Sequence, residues 1–72
     1  MKLEEKLALI AETLDANPAS VKADTELESL DEWDSMGKLS VMAMLSSKLG
    51  KEINGKRLTE YNTVADILSD MD

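Results

Sequence analysis

Seventy-two residues, fifteen acidic against eight basic, with neither cysteine nor histidine, make one small domain of net charge −7. This composition excludes disulfide staples, Cys- or His-based metal sites and histidine acid–base catalysis. It also argues against nucleic acid and anionic membranes as partners, and for proteins that carry basic patches. No run reaches transmembrane length, and Met1-Lys2-Leu3-Glu4-Glu5-Lys6 is too charged for a secretory signal. The expectation is a cytoplasmic monomer with a modest core.

Leu3, Leu7, Ile10, Ala11 and Leu14 recur at helical spacing, which predicts an amphipathic first helix over about residues 2–15. Asn17-Pro18 is expected to stop it, because the residue before proline is pushed out of the α region. Residues 16–34 then form a long connection, with one short turn expected at Ala19-Ser20-Val21. So long a loop suits a small domain only if Val21, Leu27 and Leu30 pin it to the core. Trp33 is expected to cover the core where the loop meets the next helix.

The second helix is predicted over about residues 35–49, with Val41, Met42, Leu45 and Leu49 inward and Gly50 as the left-handed residue past its end. Met42 reads as a filler of core gaps; the place of Met44 is open. The outer side carries Met36, Leu39, Ser40, Ala43, Ser46 and Ser47, so the helix is apolar over much of its circumference and its outer side suits a partner. Ile53 packs after the cap and Asn54-Gly55 reads as a turn. Lys56 to Tyr61 is a short helical stretch offering Leu58 and Tyr61. Asn62-Thr63 caps a last helix over about residues 64–70, with Val64, Ile67 and Leu68 inward. The fold class is all-α: a small bundle of three main helices plus one short helix, with a long loop between helices 1 and 2.

Asp34-Ser35-Met36 lies where the acidic loop becomes the second helix. Ser35 has two readings there. It, or Asp34, caps the helix; or its hydroxyl carries a phosphate-linked group whose charge the helix dipole favours. Catalysis by Ser35 finds no base, since histidine is absent and Lys38 on an exposed first turn is not desolvated. The loop carboxylates offer no pocket that would separate their pKa values. Nor do they form an EF-hand: counting from Asp31, the third, sixth and twelfth positions are Trp33, Met36 and Met42. The pattern is one well-placed hydroxyl that another protein must act on, and the domain is not expected to be an enzyme.

Over nearly its whole length the chain resembles the acyl carrier proteins. The resemblance rests on the first helix, the loop with Leu27 and Leu30, Asp34-Ser35-Met36, the apolar second helix ending at Leu49-Gly50, Ile53, and Thr63-Val64 opening the last helix. It implies a single carrier domain over residues 1–72. It implies a 4′-phosphopantetheine arm, transferred from coenzyme A to Ser35 by a phosphopantetheinyl transferase with Mg²⁺, with Asp34 beside the site. Acyl or aminoacyl groups would ride on the arm as thioesters, loaded and removed by partner enzymes. Met36, Leu39, Ser40 and Ala43 match partner-facing positions, and space among the helices would shelter an acyl chain. Met36 stands where the family motif has Leu, a variant also seen in D-alanyl carriers. Members that serve fatty-acid synthesis carry acidic residues along the second helix; this helix has none, which suggests a specialised pathway. The alternatives are an aminoacyl or D-alanyl carrier and, in another class, an unmodified helical interaction module.

Overall fold

The computed structural model describes residues 2–71, and they form the expected all-α bundle. Its helices are α1 (Leu3–Leu14), α2 (Ser35–Leu49), α3 (Gly55–Glu60) and α4 (Val64–Asp70), with single 3-10 turns at Pro18–Ser20 and Leu27–Ser29 inside the long loop. Fully buried Ile10, Leu27, Val41, Leu45, Val64 and Ile67 form the centre of one core. Burying each such side chain contributes about 1.5–3 kcal/mol, which is large for a domain of this size.

The long loop is held as the sequence requires, with Val21, Leu27 and Leu30 all buried. Backbone hydrogen bonds add a second anchor. Leu27 N–H donates to Asn62 O at 2.9 Å, Val64 N–H to Thr25 O at 3.0 Å, and Ala65 N–H to Ala23 O at 2.9 Å. The result is an isolated antiparallel bridge between Glu26 and Thr63, which ties the loop to the start of α4.

Several local expectations change. α1 ends at Leu14, before proline acts, because Asp15 takes a left-handed conformation (φ 55°) and its N–H turns back onto Ala11 and Glu12 carbonyls. Asn17 instead caps the following turn, accepting from Ala19 N–H at 3.0 Å. Leu3, read as part of the inward stripe, is exposed, since it precedes the turn of α1 that meets the core. On α2 the inward set centres on Val41, Met44 and Leu45, while Met42 and Leu49 are half-buried. Asn54-Gly55 is the start of α3 rather than a separate turn: Asn54 Oδ1 accepts from Arg57 N–H at 2.8 Å. Met71 joins the core beyond α4.

α3 and α4 are each too short to be stable alone. Asp66 reaches back to the N–H groups of Asn62 (2.8 Å) and Thr63 (3.1 Å) at the head of α4. Arg57 grips Asp70 in a two-point pair at 2.8 and 3.1 Å, and Tyr61 OH donates to the same carboxylate at 2.6 Å. These contacts lock the two short helices to each other.

Candidate functional site

The site is built where the loop turns into α2. Trp33 N–H donates to Leu30 O at 3.0 Å, closing the last loop turn. Asp34 follows in extended backbone (φ −109°, ψ −169°), and its Oδ1 accepts from Gly37 N–H at 2.8 Å. Asp34 is therefore the cap. Ser35 is the first helical residue; it is exposed, and among the described residues its hydroxyl makes no hydrogen bond. Of the two readings of the serine, capping belongs to its neighbour, and the hydroxyl is left facing solvent. No base touches it.

Met36 (72% exposed) and Leu39 (53%) stand out on α2, and exposed Ala43 continues the row. These positions are three and four residues apart, so they form one apolar strip starting beside Ser35. Ser40 is placed differently from the outer position expected of it. It is half-buried and lines a hollow of about 410 Å³ with Thr13, Leu14, Asp15, Glu32, Asp34, Met36 and Gly37, on the α1 side of the strip. On the other side a groove of about 520 Å³ runs between α2 and the segment before α3. It is lined by Leu39, Met42, Ala43, Ser46, Glu52, Ile53 and Asn54. The apolar space beside α2 is thus a surface groove next to the strip.

Two residues carry more than their sequence positions suggested. Gly37, in the first turn of α2, is buried: a Cβ there would overlap the Glu32 carbonyl oxygen and press on Leu14 Cδ2. A glycine in the first turn of a helix lowers its stability, and that cost was the available signal of a close approach. Lys38, read as lying on an exposed turn, is half-buried with its Nζ 5.9 Å from the centroid of the Trp33 ring. The Trp33 ring in turn lies 6.5 Å from that of Tyr61.

Among the described residues no group of three or more carboxylates is arranged to hold a metal ion. Among the described residues no helix is long and apolar enough to cross a membrane. An exposed hydroxyl, unengaged among the described residues, thus stands at the head of α2, flanked by an apolar strip and a groove. The sequence profile of the phosphopantetheine attachment site family matches residues 7–69. The chain belongs to this family. Its members are non-catalytic carriers that hold a covalent 4′-phosphopantetheine group and work with phosphopantetheinyl transferases and acyl-handling enzymes. The all-α bundle is the architecture expected of such a carrier. No curated protein and no solved structure matches the chain.

Proposed function

We propose that this carrier bears its phosphopantetheine arm on Ser35 and presents acyl intermediates, as thioesters, to the enzymes of a specialised biosynthetic pathway in the cytoplasm, acting as a monomer. The observation that carries the assignment of Ser35 is the division of labour at the head of α2. Asp34 Oδ1 takes the Gly37 N–H, and the serine hydroxyl is exposed with no hydrogen bond among the described residues. The residues fit the group: the hydroxyl is accessible, the first turn of the helix favours added negative charge, and open grooves flank it. When bound, the arm supplies a thiol on a flexible tether.

The chain's own residues do the rest. Asp34 fixes the first turn of α2, on which Ser35 stands, and would lie next to the attachment point in the transferase complex. Met36, Leu39 and Ala43 give partner enzymes an apolar strip, with Ser40 at its α1-side margin. The groove beside Leu39, Met42 and Ile53 supports an acyl cargo, since its apolar lining suits a hydrocarbon chain. The aminoacyl alternative rests on Met36 alone, since the glycine beside it has a packing origin: Gly37 is required by the Glu32 carbonyl and Leu14. Family membership likewise favours a loaded carrier over an unmodified interaction module.

Intact mass spectrometry after incubation with coenzyme A, Mg²⁺ and a broad-specificity transferase tests the assignment. Wild type should gain one arm and Ser35→Ala none. An arm on Ser35→Ala, or a wild type that several transferases leave untouched, overturns it.

A further inference from the structure

We propose that Lys38 reads whether Ser35 is loaded: it rests on the Trp33 ring while the hydroxyl is free and turns to the phosphodiester once the arm is attached. The proposal deepens the carrier reading and rests on Ser35 as the attachment point.

In a protein of net charge −7, Lys38 makes no ion pair among the described residues. The Asp34 carboxylate, one turn back on the same helix, is engaged by Gly37 N–H at 2.8 Å. The ammonium lies instead over an aromatic face, 5.9 Å from the Trp33 centroid. For a half-exposed lysine that contact is weak and easily exchanged. Lys38 stands three residues after Ser35, on neighbouring positions of one helix surface. Its four-carbon stem lets the head reach either the ring or the serine oxygen. A phosphodiester at Ser35 adds a permanent negative charge with strong acceptor oxygens, and a charge-assisted hydrogen bond outweighs a cation–π contact at such a site.

The exchange has a structural consequence. Lys38 forms one wall of a hollow of about 290 Å³ lined also by Glu28, Trp33, Leu58 and Tyr61, and among the described residues it makes no ion pair with Glu28. When it leaves, the Trp33 face and this hollow open on the Lys38 side of the head of α2, near the attachment point. Loading would then alter the very surface that partner enzymes meet, giving them a way to tell loaded from unloaded carrier without touching the cargo.

The test uses protein before and after loading by coenzyme A and a transferase, with loading verified by intact mass. In the unloaded protein the Lys38 ε-methylene protons should be shielded by the Trp33 ring. Loading should move them downfield to the ordinary lysine position, and acrylamide quenching of Trp33 fluorescence should rise. Lys38→Met should give a Trp33 signal insensitive to loading, and Lys38→Arg should restore the response. A loaded wild type whose Lys38 signals stay shielded, or a Lys38→Met variant with the full Trp33 response, overturns the proposal alone. A chain that is never loaded overturns the carrier reading and this proposal with it.

Discussion

Gly37 and Asp34 together decide how the head of α2 is made. Alanine at position 37 would gain about 1 kcal/mol of helix propensity. Against this stands an overlap with the Glu32 carbonyl oxygen, a backbone atom that cannot swing aside as a side chain would. Overpacking of this kind costs about 1–3 kcal/mol, so the steric term should win. Gly37→Ala is expected to lower the urea midpoint; an unchanged or higher midpoint would mean that the loop yields. The cap makes a complementary comparison. Asp34→Ala should lose about 1 kcal/mol, the usual worth of a capping side chain. Ser35→Ala should stay within about 0.5 kcal/mol of wild type, as an exposed residue without partners does. Chemical denaturation of the pair checks both, and equal losses would assign part of the cap to the serine.

At the scale of elements, the acidic residues near α4 make its stability pH-dependent. Arg57 hydrogen-bonded to Asp70, with help from Tyr61, holds the Asp70 carboxyl below the usual carboxylate range. The N–H groups of Asn62 and Thr63 do the same for Asp66. Burial and the Asp70 hydrogen bond push the Tyr61 hydroxyl up, so it remains a donor at neutral pH. For both carboxyls the folded pKa lies below the unfolded one, near 3.9 for Asp. Their stabilisation is therefore full above that value and lost as pH falls through the folded pKa. Asp70→Asn should lower the melting temperature at pH 7 and flatten its decline in acid, measured by circular dichroism across a pH series. A variant whose acid limb stays parallel to wild type would show that Asp70 adds nothing to it. The helices themselves were legible because their signals are local: apolar spacing in α1, Gly50 past α2, Thr63 before α4. The Arg57–Asp70 pair and the Glu26–Thr63 bridge were not, since nothing local marks partners so far apart in sequence. Nor did pattern choose between Met42 and Met44, because a helix apolar on most sides leaves its inward face to be set by packing. At the site, the sequence singled out Ser35 and the strip of Met36, Leu39 and Ala43, but left open which side chain caps and missed the contact of Lys38 with Trp33.

At the scale of the whole molecule, the contrast that matters is between the acidic loop and α2, which carries no carboxylate. Exposed Asp24, Glu26, Glu28, Asp31 and Asp34, with half-buried Glu32, crowd the loop, while the exposed end of α2 carries Ser46, Ser47 and Lys48. A basic partner gains association rate from long-range attraction, and that gain falls as salt screens it. An enzyme shaped for a carrier with an acidic second helix would find no carboxylate on α2 itself, and a like-charge contact at Lys48. On the carrier reading, fatty-acid elongation enzymes should therefore use the loaded protein poorly. The positions to alter follow from the structure. Ser40 is unsuitable, because it shares a hollow with Asp15, Glu32 and Asp34, where a fourth carboxylate would be repelled. Ser46 and Ser47 are exposed, and Ser46 edges the groove beside Ala43, so carboxylates there would face an incoming partner. The combined Ser46→Glu, Ser47→Glu, Lys48→Glu variant should raise kcat/KM with such an enzyme at low salt, through faster association, and lose the advantage as salt increases. The check is a salt series with both loaded carriers against one elongation enzyme. A wild type that already matches a carrier with an acidic second helix, or a variant that gains nothing at low salt, would mean that partner choice is set by the shape of the Met36–Leu39–Ala43 strip and not by charge along α2.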